Sequence, residues 1–156
     1  MLLRAMVFAA ATVICTETSA VADTRNVQEV FRDFENICFS YAESGSGLEL
    51  TLLIEQAGFV FVEKAKGGSD IFNSDIVQLV INEKTCAFGM PQLPFELMLE
   101  WTKDWATAKG LVQRESTKTH SGGQYWSWSG GGFDIGLEED EFTNGVPLTA
   151  LILLRK

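Results

Sequence analysis

The chain is poor in the residues that most chemistry needs. It has one histidine (His120), three prolines and three cysteines in 156 residues. One histidine and no Cys-x-x-Cys leave a zinc site without a ligand set. His120 lies in His120-Ser121-Gly122-Gly123 with no Gly-x-Ser-x-Gly elbow, so it reads as a turn residue, not as a general base beside a nucleophile. The glycine stretches Gly45-Ser46-Gly47 and Gly130-Gly131-Gly132 lack both the phosphate-binding Lys-Ser/Thr pair and dinucleotide spacing. No cofactor is expected. Basic residues are scarce, 12 against 21 acidic, for a net charge of −9. That balance argues against nucleic acid and anionic membrane surfaces as partners. No apolar run reaches the roughly 20 residues of a membrane-spanning helix.

The amino-terminal residues have an order of their own. Arg4 precedes an apolar run, Ala5 to Ile14, and a polar stretch ends in Ala20-Val21-Ala22. A basic start, apolar middle and small-x-small end make the pattern of a secretory signal peptide over 1–22. Cys15 closes the apolar run, but Ile14 before it is not the small residue that lipoprotein processing requires. The expectation is export to the periplasm or medium, with no membrane insertion after cleavage. The mature chain, 23–156, is long enough for one α+β domain and too short for two. Cleavage removes Arg4 and Glu17, one charge of each sign, so the mature charge stays at −9.

Cys38 and Cys86 remain in the mature chain, and oxidising conditions outside the cytoplasm point to one structural disulfide between them. Val27, Val30, Phe31, Phe34, Ile37, Cys38 and Tyr41 recur at spacings of three and four, which predicts a helix with Cys38 on its core stripe. Asn26 with Glu29 is a candidate capping pair. A second helix is expected over Leu50, Leu53, Ile54 and Ala57, capped by Ser46 with Glu49 and ended by Gly58. Phe59 to Val62 reads as a short buried strand. Two strands follow, joined around Asn82-Glu83-Lys84, with Cys86 on the second. Pro94 suits the first turn of a third helix with Met98, Trp101, Trp105 and Ala108 on one face, and Gly110 ends it. Four more strands complete the chain, the last introduced by Asn144-Gly145. The fold class is α+β: three helices and a largely antiparallel sheet of about six or seven strands, in a single domain with one disulfide.

The densest chemistry lies late. Gln124 to Ser129 and Phe133 to Glu138 flank Gly130-Gly131-Gly132 as a hairpin, with Trp126 and Trp128 on one face and Trp101 and Trp105 as expected core neighbours. Glu138, Glu139, Asp140 and Glu141 follow as an acidic turn. Their spacing is not that of an EF-hand, and no metal site is expected. These features suggest a small exported protein of the bacterial envelope: a binding, inhibitor or accessory protein, not an enzyme. It would meet a cationic protein partner through its acidic surface, with Glu138 to Glu141 as the contact. The alternative is a glycan-directed hydrolase or a glycan- or ligand-binding module using carboxylates with Trp126 and Trp128. Protein recovered from the periplasm or medium should begin at Asp23 by intact-mass measurement. A lipidated form beginning at Cys15 would overturn this expectation.

Overall fold

The computed structural model describes residues 26–141 and 145–156. The expected signal segment 1–22, Cys15, the Asp23 start and Asn144 lie outside the described residues. Residues 26–44 form helix α1, whose middle widens into a π-turn over Glu35–Phe39 before closing as Ser40–Ser44. Helix α2 is Leu48–Gln56, and α3 is Phe95–Ala108. Nine strands follow the order β1 (Val60–Lys64), β2 (Asp70–Asn73), β3 (Gln78–Ile81), β4 (Thr85–Met90), β5 (Val112–Gln113), β6 (Thr117–Lys118), β7 (Gln124–Ser129), β8 (Phe133–Glu141) and β9 (Pro147–Arg155).

All pairings are antiparallel, in the spatial order β1-β2-β3-β4-β9-β8-β7, with β5 and β6 sharing the outer edge of β7. The sheet is thus two meanders, β1–β4 and β5–β9, joined at β4 and β9. Helix α3 carries the chain from that joint to the far edge. Strand alternation puts Cys86, Phe88 and Met90 of β4 on one face. Thr149, Leu151 and Leu153 of β9 stand beside them, then Ile135 and Leu137 of β8 and Trp128 of β7, and all are buried. The opposite face carries Tyr125, Ser127, Asp134 and Glu138.

Helix α1 covers the joint with the stripe its spacing predicts. Val27, Val30, Phe31, Phe34, Ile37, Cys38 and Tyr41 are all buried. Phe34 meets Phe88 edge to face, ring centroids 5.3 Å apart, which suits the aromatic quadrupoles. The Cys38–Cys86 disulfide forms as expected, with Cα atoms 5.5 Å apart. At the end of α1 the Tyr41 hydroxyl donates to the Asn82 carbonyl, and the Arg155 guanidinium lies 5.3 Å from the Tyr41 ring. Asn82 holds the β3–β4 turn by accepting from the Lys84 and Thr85 amides at 3.1 Å each.

Several local expectations change. The sheet has nine strands instead of six or seven, because Asp70–Asn73 adds β2 and the polar edge segment splits into β5 and β6. Phe59 is buried, but β1 itself is exposed along its whole length, since it is the last strand at its edge of the sheet. Helix α2 starts after an extended Gly47 with no side-chain cap, so Ser46 and Glu49 do not form the capping pair. The chain is already helical at Asn26, which places Asn26 and Glu29 inside α1. Gly58 and Gly110 take positive φ at 82° and 70° and end their helices as expected.

The disulfide closes a loop with a sequence separation of 48. Replacing both cysteines by alanine should lower stability to urea by about 2–4 kcal/mol, and reducing the native protein should do the same. A urea midpoint unchanged by either treatment would show that the bridge carries no stability.

Candidate functional site

An open cleft of about 740 Å³ lies between α1 and α3. It forms because the core stripe of α3 is Phe95, Met98, Leu99, Thr102 and Ala106, all buried. Trp101 and Trp105 sit to one side of that stripe, half-buried, and lean toward α1. Their neighbours are therefore phenylalanines of α1 and not the hairpin tryptophans. Phe31 lies 6.5 Å from Trp101 with the rings 23° from parallel, and 5.4 Å from Trp105. Phe34 and Phe39 stand 6.0 and 5.8 Å from Trp105 on its inner side.

Glu35, the first residue of the π-turn, fixes the end of this wall. Its Oε1 accepts from the Trp105 indole N–H, and its Oε2 pairs with Lys109 Nζ at 2.8 Å. Arg32, also on α1 and lining the cleft, is turned onto Asp33, 3.0 Å away. The cleft's own cations are thus engaged. Glu100 and Asp104 also line the cleft, and neither side chain has a hydrogen bond or ion pair among the described residues. The sequence signal for this arrangement was Glu100-Trp101 followed one helical turn later by Asp104-Trp105. Acid–aromatic pairs at i and i+4 form a ladder on one helix flank. The sequence reading took the tryptophans for core and gave Asp104 no role.

The carboxylates continue beyond the cleft. Glu96 lies one turn before Glu100 on α3 and accepts from Gln124 Nε2 at 3.3 Å. The Gln124 amide N–H donates to Glu139 Oε2 at 3.2 Å. Glu139, Glu96, Glu100 and Asp104 therefore make an acidic track from β8 to the cleft. Glu96 to Asp104 alone spans about 12 Å of helix at about 1.5 Å per residue. A smaller groove beside the track contains Trp126, Glu139 and Thr117.

Glu138 to Glu141 are the last residues of β8 and not a turn, because β9 pairs with β8 as far as Glu141↔Pro147. The strand pleat separates them: Glu139 and Glu141 face the helix side, while Glu138 and Asp140 face the other. The hairpin itself forms as expected, with Trp126↔Leu137 and Trp128↔Ile135 in register. Trp128 is 2% exposed and offers no ring face to a ligand, and Trp126 lies beneath Lys103 Nζ, 4.2 Å from the ring centroid. Two glycines make the hairpin possible. A Cβ on Gly123 would fall 2.3 Å from the Glu139 carbonyl oxygen, and one on Gly136 would meet the Tyr125 ring. His120 occupies the exposed turn between β6 and β7. Its sequence neighbour Ser121 bonds Thr119 at 2.9 Å. Among the described residues no group of His, Cys, Asp and Glu is arranged to hold a metal ion.

A second polar cluster lies on the sheet face away from the helices. Asp134 accepts from Ser129 at 2.8 Å and pairs with Lys156 at 3.0 Å, with Arg114 at 3.6 Å. Partial burial pushes the Asp134 carboxyl up, but the bonds from Ser129 and Lys156 and the Arg114 charge together hold it below its ordinary value. Beside it, burial and then the Glu138 charge raise the Tyr125 phenol. Glu138 is itself raised, first by burial and then by Asp140. A carboxyl raised by folding costs stability when ionised, and the cost vanishes as pH falls through its folded value. Glu138→Gln should therefore raise the melting temperature at pH 7 and give no gain in acid well below that value. A gain that persists in acid, or none at pH 7, would contradict this assignment.

Comparison with protein-family models, with curated proteins and with solved structures gave no match for this chain.

Proposed function

We propose that this is an exported accessory or binding protein of the bacterial envelope that holds a cationic protein partner along its acidic track. The observation that carries the reading is the alignment of Glu139, Glu96, Glu100 and Asp104 from β8 to the α1–α3 cleft, in a chain of net charge −9. Sequence reasoning placed recognition at Glu138 to Glu141. The strand pleat favours Glu139 as the member of that group that joins the contact, with α3 supplying the rest. A row of exposed carboxylates attracts a basic segment over several ångströms, accelerates encounter and specifies sign, while adding little affinity of its own. Affinity then depends on apolar surface next to the charges, which the aromatic walls of the cleft supply.

The test uses the mature protein as bait in an envelope extract beside a variant with Glu96→Gln, Glu139→Gln, Glu100→Gln and Asp104→Asn. The expected partner is basic, is held by the native bait and is lost from the variant. Its association should slow as salt rises, because exposed charges are screened over about 8 Å near physiological ionic strength. Neutralising Glu138 and Asp140, on the opposite face, should change neither rate nor affinity. A partner bound equally by both baits, or with no dependence on salt, would exclude this function.

A further inference from the structure

We propose that the α1–α3 cleft seats an arginine side chain presented by the partner's basic segment. The inference rests on the acidic-track reading for the sign of the partner and adds the residue that the cleft selects. At about 740 Å³ the cleft is within the size range of small-ligand sites and open enough to admit a side chain with its backbone. Its walls are flat aromatic rings, Trp101 and Trp105 from α3 with Phe31 from α1 behind them. Its rim carries two carboxylates, Glu100 and Asp104, one helical turn apart, with Cβ atoms about 5–6 Å from each other.

Arg32 itself lines the cleft, but it and the neighbouring Lys109 are each paired with another carboxylate. Arg32 is on Asp33 and Lys109 is on Glu35. Glu100 and Asp104 thus line the cleft without an ion-pair partner among the described residues. An apolar occupant would strip water from two carboxylates and return no hydrogen bond, which opposes it. A cation satisfies both features at once: its charge meets the acids, and its face meets the electron-rich indoles. Arginine fits better than lysine because a planar guanidinium can stack on an indole while its edge N–H groups fork toward carboxylates. An ammonium is a strongly hydrated point charge with no flat face to stack. The wall is also organised in advance, because Glu35 holds the Trp105 indole N–H and Lys109 together. Little side-chain freedom is left to lose on binding.

The experiment titrates the disulfide-bonded protein with a blocked peptide of alternating arginine and glycine, and separately with its lysine counterpart, following tryptophan fluorescence at physiological salt. The arginine peptide should bind about tenfold tighter than the lysine peptide. The exposed pair Glu100→Gln/Asp104→Asn should weaken the arginine peptide by about tenfold or more, and Trp101→Ala should abolish the preference for arginine. If Trp101→Ala lowers the melting temperature, the exposed acidic pair decides alone. Equal binding of the two peptides to the native protein, or arginine affinity unchanged by the acidic pair, overturns the seat. Glu96→Gln/Glu139→Gln should weaken both peptides alike. If that variant has no effect while the cleft variants do, the track reading fails and the seat stands. No binding of either peptide overturns both.

Discussion

The rest of the structure depends on how α1 is held against the joint of the two meanders. Antiparallel strands β4 and β9 meet there in six register pairs, from Thr85↔Leu154 to Met90↔Thr149. Two half-sheets joined by one pair of strands need a covering layer at the joint, since apolar side chains on that face would otherwise meet water. Helix α1 supplies it. Phe34 lies on Phe88, Cys38 is bonded to Cys86, and Tyr41 reaches over to the β3–β4 turn at Asn82. A noncovalent contact, a covalent bond and a hydrogen bond thus fasten successive turns of one helix to one edge of the joint.

The cleft is a consequence of this fixation. With α1 pinned over β4, α3 must take the remaining half of the face, over β8 and β9, where Thr149 reaches the Leu93 carbonyl at 2.9 Å. Two helices side by side on a flat sheet leave a furrow along their outer contact. Large aromatic side chains from both helices line that furrow without closing it. The π-turn at Glu35–Phe39 contributes at the same place, directing Glu35 to Trp105 and Lys109 while Phe39 packs on Phe133, 5.1 Å away. Widened helical turns recur where a helix departs from regular packing to serve a site. Surface charge has a similar division. Acids cluster along α3 and the helix side of β8, whereas Asp134, Arg114 and Lys156 compensate one another on the opposite face.

Much of the fold was legible because it rests on periodicity. The stripe from Val27 to Tyr41, the glycine stops at Gly58 and Gly110 and the Trp126–Leu137 hairpin all follow from local spacing and backbone chemistry. The candidate site was legible only in its ingredients. Glu100-Trp101 and Asp104-Trp105 stand in plain view as acid–aromatic pairs one turn apart, yet an apolar stripe drawn through Met98, Trp101 and Trp105 conceals them. Which of two adjacent stripes on α3 faces the sheet depends on the rotation of the helix, and the sheet and α1 set that rotation. The acidic run of β8 was misjudged for a related reason. Four consecutive carboxylates resemble a turn by composition, but β9 offers a hydrogen-bonding partner as far as Pro147, and backbone pairing outweighs their poor strand propensity.

The amino-acid order by itself determined the three helices, the α+β class and the pairing of Cys38 with Cys86, because helical and strand periods are local properties and they place Cys38 on a core stripe and Cys86 on a buried strand. Tertiary structure alone decided that β1 is an exposed edge, that Trp128 is buried while Trp101 and Trp105 line a cleft, and that Glu139 parts from Glu138. Those outcomes depend on strand order, helix rotation and pleat direction. Each is set by contacts between residues far apart in the chain, which no local window contains.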